Sequence, residues 1–302
     1  MSRLESILVH KGHTGPVYSL CEGRTPGTVF SAGSDGFVVE WDLLKGQTGC
    51  VVRLGEPVYS VMYDASSGRL FAGAASGRIH IIDVGNLREE RCIELHRQGV
   101  FDIRLSADRT RLITAGGDGK IFVWDDPDMT LNHAIKPDGN KCRQVIFKDE
   151  KTLLVCTSLG NIHEISLDPV RINHCWQAHQ GGVYSLLWYS HRSLLFSGGK
   201  DAHIRVWKEQ TEVLSIPAHN YAVYALEVSP DGQWIASASR DKTVKLWDSS
   251  TMQFIFRGDM ALGGHNRSVN DLIWVGEMIA SCGDDGKIVS WSVRKGDAVT
   301  GV

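Results

Sequence analysis

Residues 218–248 read AHNYAVYALEVSPDGQWIASASRDKTVKLWD, and this stretch decides the fold. It contains three runs whose composition is typical of β-strands: Val223–Val228, Trp234–Ser239 and a run that ends at Trp247-Asp248. Two turns separate them, at Ser229-Pro230-Asp231-Gly232 and at Arg240-Asp241-Lys242. Short strands separated by turns in this way predict one small antiparallel sheet.

The same pattern occurs seven times along the chain. Aligned on the Trp-Asp end, the repeats end at Trp41, Ile82, Trp124, Ile165, Trp207, Trp247 and Trp291. The intervals between these positions are 40 to 44 residues, which is the period of four-stranded propeller blades. The seven repeats occupy most of the 302 residues, so a single domain is predicted over residues 1–302.

Five of the seven repeats carry the same four residue types in the same order, called here the polar set, and the last three of the four lie at fixed offsets. A histidine precedes the first strand, a serine or threonine lies in the second, an aspartate lies in the tight turn and a tryptophan ends the third. The five sets are His13, Ser31, Asp35, Trp41; His96, Thr114, Asp118, Trp124; His179, Ser197, Asp201, Trp207; His219, Ser237, Asp241, Trp247; and His265, Ser281, Asp285, Trp291. The second and fourth repeats carry none of the four.

These repeats resemble WD40 repeats, and the resemblance covers nearly the whole chain. It implies an all-β fold, a seven-bladed β-propeller of four-stranded antiparallel blades. It also implies that residues 6–9 form the outer strand of the seventh blade and close the ring, and that residues 293–302 form a frayed tail. Within each polar set it implies hydrogen bonds that run from aspartate through histidine and serine or threonine to the indole N–H.

The polar sets also contain the residue types of a catalytic triad. Five copies of one active site around a ring are implausible, and the sequence contains no phosphate-binding, dinucleotide-binding or nucleophile-elbow motif. We therefore predict a protein that is not an enzyme and that needs no cofactor. His10 and His13 are three residues apart, but no third ligand lies nearby, so no metal site is predicted.

Composition narrows the class of partner and the compartment. The formal net charge is −3, without a basic stripe, which argues against nucleic acid. No apolar run is long enough to span a membrane. The seven cysteines are scattered and form no Cys-x-x-Cys pair, which predicts reduced thiols packed as small apolar residues in a cytoplasmic protein. We expect a monomer on its own or a subunit of a larger complex.

By resemblance, two positions in each repeat surround the central channel on the top face. One follows the valine that begins the first strand, and the other precedes the turn aspartate. The predicted partner-binding residues at these positions are Tyr18, Tyr59, Phe101, Arg143, Tyr184, Tyr224, Asn270, Lys200, Arg240 and Asp284. Tyrosine and arginine dominate binding hot spots, so a non-catalytic scaffold for a peptide or protein is predicted.

Two alternatives remain open at this point. The aromatic residues could pack between blades and merely line the channel. The channel mouth could instead serve an enzyme or a receptor for a small ligand or ion, with Asp102 and Asp271 as the polar groups. If a partner does bind, Arg143, Lys200 and Arg240 predict an acidic segment over repeats four to six, with Asp284 on the other side.

Overall fold

A computed structural model describes residues 3–294, which form seven four-stranded antiparallel sheets arranged as the blades of a β-propeller. The predicted fold is confirmed. In chain order the strands are β1 (Arg3–Lys11), β2 (Val17–Glu22), β3 (Thr28–Gly33), β4 (Phe37–Asp42), β5 (Thr48–Arg53), β6 (Val58–Asp64), β7 (Arg69–Ala74), β8 (Arg78–Asp83), β9 (Arg88–Glu94), β10 (Val100–Leu105), β11 (Arg111–Gly116), β12 (Ile121–Asp125), β13 (Thr130–Ile135), β14 (Cys142–Asp149), β15 (Thr152–Thr157), β16 (Asn161–Leu167), β17 (Val170–Gln177), β18 (Val183–Tyr189), β19 (Leu194–Gly199), β20 (His203–Lys208), β21 (Thr211–Pro217), β22 (Val223–Val228), β23 (Trp234–Ser239), β24 (Val244–Asp248), β25 (Phe254–Gly258), β26 (Val269–Val275), β27 (Met278–Gly283) and β28 (Lys287–Arg294).

Six blades use four consecutive strands each, from β2–β5 in blade one to β22–β25 in blade six. Two short 3-10 helices lie in loops of the described chain. Ser190–Arg192 lies within blade five, and Met260–Leu262 lies in the connection from blade six to blade seven. No helix within the described residues is long and apolar enough to cross a membrane.

The hydrophobic core is divided into seven clusters, and each lies between two neighbouring blades. Between blades six and seven, for example, Leu246 and Val244 pack with Leu272, Val289 and Trp291. The second strand of every blade is almost completely buried, because the neighbouring blades cover both of its faces. A strand buried in this way is mostly apolar on both faces. Each blade therefore depends on its neighbours for burial of its apolar surface.

The seventh blade is completed by the N-terminal strand. Its strand order is β1-β28-β27-β26, so the first and last described strands of the chain are paired. Ser6 lies opposite Trp291 and Val9 opposite Val289, as the resemblance implied. The contact is longer than predicted, because β1 covers residues 3–11 and β28 continues to residue 294. Residues 293 and 294 of the predicted tail belong to β28, and residues 295–302 lie outside the described part of the chain.

The cysteines depart from the prediction in one respect. All seven are free, and Cys50, Cys142, Cys156 and Cys282 are buried as expected of small apolar residues. Cys92 and Cys175, in contrast, are exposed on the outermost strands of blades two and four. These are the two blades without a polar set.

Candidate functional site

The polar sets form closed hydrogen-bond chains inside five blades. In blade six, His219 Nδ1 donates to Asp241 Oδ2 over 2.9 Å and Ser237 Oγ donates to His219 Nε2 over 2.8 Å. The Trp247 indole donates to Ser237 Oγ over 2.8 Å. The same bonds occur in the other four sets, with indole distances of 2.7 to 3.1 Å. This chain of hydrogen bonds connects the loop before the blade with the second and third strands of the blade.

The protonation state of these sets follows from burial and the local donors. Burial by itself raises the pKa of Asp241, but the hydrogen bonds from His219, Thr243 and the Asn220 N–H outweigh it and hold that pKa well below its ordinary value. Burial lowers the pKa of His219 despite the nearby carboxylate. In blade six the set is therefore an aspartate anion beside a neutral histidine. All five hydroxyl-bearing members are fully buried, so no substrate reaches them as nucleophiles.

The two remaining blades contain a different histidine–carboxylate pair that the sequence comparison missed. In both, the histidine lies on the third strand, two residues before the position where tryptophan ends the other blades. His80 Nε2 lies 3.5 Å from Glu56 Oε1 in blade two, and His163 Nε2 lies 3.2 Å from Asp138 Oδ2 in blade four. The carboxylates lie in the loop before the blade, which carries the histidine in the other five blades. In these exchanged pairs the loop therefore supplies the carboxylate, and the blade supplies the histidine.

The predicted top-face residues form a continuous row around the channel mouth. Successive ring centroids are 5.3 Å apart for Tyr18 and Tyr59, and 5.8 Å apart for Tyr59 and Phe101. Arg143 then lies between two rings, 4.8 Å from the centroid of Phe101 and 5.2 Å from that of Tyr184. We call Tyr18, Tyr59, Phe101, Arg143, Tyr184, Tyr224 and Asn270 the mouth ring.

The other contacts of the mouth ring lie on blades five to seven. Tyr184 and Tyr224 meet edge to face at 5.4 Å. Asn270 donates to Asp284 Oδ1 and to the Val17 carbonyl, each over 2.8 Å. All seven members are half-buried, so each packs on its neighbours and still presents part of its surface to solvent. Arg143 Nε has no hydrogen-bond partner within the described residues.

A groove opens beside the mouth ring over blades two to four. It has a volume of about 660 Å³, and its walls include Tyr18, Tyr59, Phe101 and the cations Arg97, Lys141 and Arg143. We call it the basic groove. No carboxylate lines it, and no ion pair joins Arg97 or Lys141 to an acid within residues 3–294. Lys200 and Arg240 lie exposed on blades five and six, so positive charge covers a longer arc than the sequence predicted.

Deeper in the channel, polar side chains join neighbouring blades. Asp271 Oδ2 accepts from the backbone N–H of Leu20 over 2.8 Å, and Asp102 Oδ2 accepts from that of Val145 over 2.9 Å. Asp102 also accepts from Arg104 Nε over 3.1 Å. These carboxylates were the candidate ligand groups of the channel alternative. In the structure each of them bonds the innermost strand of the next blade, so both carboxylates join neighbouring blades.

The channel also holds Glu227, whose carboxyl group forms no hydrogen bond within residues 3–294. Burial raises the pKa of Glu227 to about 7, although Arg104 acts against the shift. Because the ionised form is disfavoured in the fold, Glu227 costs no stability below the unfolded pKa of 4.5, and the cost grows as the pH rises through about 7. Replacing Glu227 with glutamine should therefore remove a pH-dependent loss of stability.

We expect the Glu227→Gln variant to match the wild type near pH 4.5 and to exceed it by about 1 kcal/mol near pH 8. The value is smaller than the full shift implies, because Glu227 borders a channel of about 210 Å³ that admits water. Urea unfolding of both proteins across this pH range measures the difference. Parallel pH profiles would show that Glu227 ionises freely in the fold.

Comparison with known proteins places this ring in a family. Intraflagellar transport protein 80 homolog of Mus musculus is 25% identical over 243 residues, which is 76% of this chain and 31% of that protein. Serine-threonine kinase receptor-associated protein of Gallus gallus is 23% identical over 242 residues, or 79% of this chain and 68% of that protein. Target of rapamycin complex subunit wat1 of Schizosaccharomyces pombe is 22% identical over 238 residues, or 74% and 75%.

This chain thus spans about a third of the length of the intraflagellar transport relative. The family model for the WD domain, G-beta repeat, matches residues 4–42, 88–125, 170–208, 210–248 and 259–292. Each matched segment ends at the tryptophan of one polar set or within a residue of it, and the two unmatched blades are those with the exchanged histidine–carboxylate pairs. The matches cover more than half of the seven-bladed ring, and the chain belongs to the WD40 family.

Proposed function

We propose that this chain is a non-catalytic scaffold that binds an acidic segment of a protein partner on its top face. The observation that carries the proposal is the mouth ring beside the basic groove, where half-buried aromatic side chains adjoin cations that have no acidic partner. The ten partner-binding residues predicted from the sequence keep that role here as part of the proposal.

The aromatic members supply the apolar part of the surface. Tyrosine offers a large contact area with few rotatable bonds, and its hydroxyl can bond to a partner. The tyrosine and phenylalanine rings of the mouth ring already support one another, so little conformational entropy is lost when a partner covers them. Packing and binding are thus compatible roles for the same residues.

The cations supply the selectivity for acidic groups. Arg143 is held between two rings on the wall of the basic groove, so its guanidinium charge is fixed beside the place where a carboxylate would bind. Arg97 and Lys141 are exposed on the same groove, so their charges attract an approaching acidic segment. Asp284, which lies by Asn270 on blade seven, would repel it, so we place the contact over blades two to six.

The names of two relatives mention a receptor-associated protein and a complex subunit. By extension we propose that this chain acts inside a protein assembly. A cytoplasmic location is part of the same proposal, supported by its seven free cysteines.

Reversing two charges of the basic groove tests the proposal. We expect Arg97→Glu with Lys141→Glu to reduce the affinity for a captured partner at least tenfold at low salt, and less at high salt, because screening weakens exposed charges. The measurement is quantitative mass spectrometry of affinity-purified complexes, followed by binding assays with the partner so identified. The matched control is Arg192→Glu with Lys208→Glu, the same charge change on the opposite face of blade five.

A second variant separates binding from folding. Tyr184→Ala with Tyr224→Ala removes two half-buried rings of the mouth ring, and we expect capture to be lost while the melting temperature falls only slightly. If this variant unfolds, the rings are structural. If it stays folded and retains every partner, the top face is not the binding surface.

A further inference from the structure

Blade two carries a group of three different metal-ligand types on its outer strands. His80 Nδ1, a carboxylate oxygen of Glu89 and Cys92 Sγ all lie within 4.8 Å of one another. His80 is buried, whereas Glu89 and Cys92 are exposed, so a solvated ion can reach the group from outside the ring. Within residues 3–294 this is the one group of three such residues that lies close enough to hold an ion.

The backbone explains why the three side chains share a face. His80 on β8 lies directly opposite Cys92 on β9, and residues opposite each other in an antiparallel pair project to the same side. The register shifts between Ile81 and Ile82, so that Ile82 lies opposite Glu89 rather than Glu90. A bulge of this kind re-aims one side chain, and here it brings Glu89 to the face that carries His80 and Cys92.

We propose that His80, Glu89 and Cys92 bind a zinc ion on the outer edge of blade two. Imidazole nitrogen, carboxylate oxygen and thiolate sulfur are the three ligand types that Zn²⁺ takes in proteins, and three protein ligands leave a fourth position for water. One thiolate and one carboxylate neutralise the charge of the ion. The sequence suggested no metal site, because Glu89 joins the group only through the bulge.

A carboxylate behind His80 completes the arrangement. Glu56 Oε1 lies 3.5 Å from His80 Nε2, just too far and too poorly aligned for a hydrogen bond, and Nε2 has no other partner. A histidine that ligates a metal through one nitrogen commonly donates its other N–H to a carboxylate. In the structure Nδ1 instead donates to Glu89 Oε1 over 2.6 Å. A small approach of Glu56 would favour the tautomer with the proton on Nε2, which leaves the Nδ1 lone pair for the ion in place of that hydrogen bond.

Blade four provides a natural comparison. His163 lies opposite Cys175, as His80 lies opposite Cys92, and the same register shift occurs one residue before Ile165. The residue that corresponds to Glu89 is Ile172, which has no ligand atom. Blade four therefore presents only the histidine–cysteine pair, and the added carboxylate is what distinguishes blade two.

Cobalt(II) serves as the probe, since a thiolate ligand gives it a charge-transfer absorption and four-coordination gives it intense visible bands. We expect one equivalent of Co²⁺ to produce both in the metal-free chain, and Zn²⁺ to displace it. Cys92→Ser should abolish the charge-transfer band, whereas the control Cys175→Ser should leave it unchanged. Glu56→Gln should weaken zinc binding by about 10- to 100-fold while leaving the band in place.

A gain-of-function variant tests the assignment of Glu89. In the Cys92→Ser background, Ile172→Glu should create a new site in blade four with the same absorption. Circular dichroism confirms that each variant is folded, which we expect because Glu89, Cys92 and Ile172 are all exposed. The absence of a charge-transfer band in the wild type would overturn the proposal. A band that survives Cys92→Ser would do the same, leaving Glu56, His80 and Glu89 as an ordinary ion-pair cluster.

Discussion

Replacing Asp241 with alanine is expected to reduce the free energy of unfolding by about 3–5 kcal/mol, because it removes one partner of a buried polar chain. Asp241 accepts from His219, from the Asn220 N–H and from Thr243. Without it, the Nδ1–H of His219 faces a cavity and keeps only the longer 3.2 Å contact with Thr243 Oγ1, and a poorly satisfied buried donor is costly. Urea unfolding of wild type and variant measures the loss.

Two further substitutions make the test specific. Asp241→Asn keeps the volume but loses the charge and one acceptor oxygen, so most of the destabilisation should remain. Ser76→Ala changes the corresponding turn of blade two, where the exposed Ser76 uses its backbone N–H to reach Glu56. Its expected cost is below about 1 kcal/mol, since that bond survives the substitution. Equal losses from Asp241→Ala and Ser76→Ala would contradict the assigned roles.

The parts of the structure that sequence could predict are local or repeated. The offset between Ser237 and Trp247 recurs in four other repeats, and a histidine precedes each of them, so one repeated pattern predicted all five hydrogen-bond chains. Ring closure was implied by the family resemblance, since a seventh blade without a fourth strand would leave an open edge.

What sequence could not predict depends on contacts between blades or on irregular backbone. Arg143 was expected to contribute positive charge for an acidic segment. Its position between Phe101 and Tyr184, on the blades on either side, was not predicted. Its environment is known only once the radius of the closed ring sets the distance between those blades. Glu89 required a bulge that no residue type announces, and the alternation of an unbroken strand would have placed it on the other face.

The exchanged pairs in blades two and four share a spacing pattern that is visible in the sequence. His80 and His163 both lie two residues before the isoleucine that replaces tryptophan, and Cys92 and Cys175 both lie ten residues after it. Comparison of these two repeats with each other, rather than with the five regular ones, would have revealed the shared pattern. In both, the loop supplies the carboxylate and the third strand supplies the histidine.

Deleting residues 1–9 is expected to cause the second large effect, the loss of ring closure. The deletion removes most of the strand that pairs with β28, including Ser6 opposite Trp291 and Val9 opposite Val289. It uncovers Trp291 in the hydrophobic cluster between blades six and seven, against which Val9 packs. It also leaves the edge of β28 without a partner. We expect aggregation, or a melting temperature lower by several degrees from a loss on the order of a few kcal/mol.

The loss should be reversible by supplying the missing strand, because an exposed sheet edge accepts an added strand through main-chain hydrogen bonds. A synthetic peptide of residues 1–11 should raise the melting temperature of the truncated chain in a concentration-dependent way, and a scrambled peptide should not. Ile7→Ser in the full chain is the matched control, since Ile7 is 41% exposed at the register shift of β1 and its side chain should contribute little. A truncated chain that stays monomeric with an unchanged melting curve would show that the N-terminal strand is not what holds the ring closed.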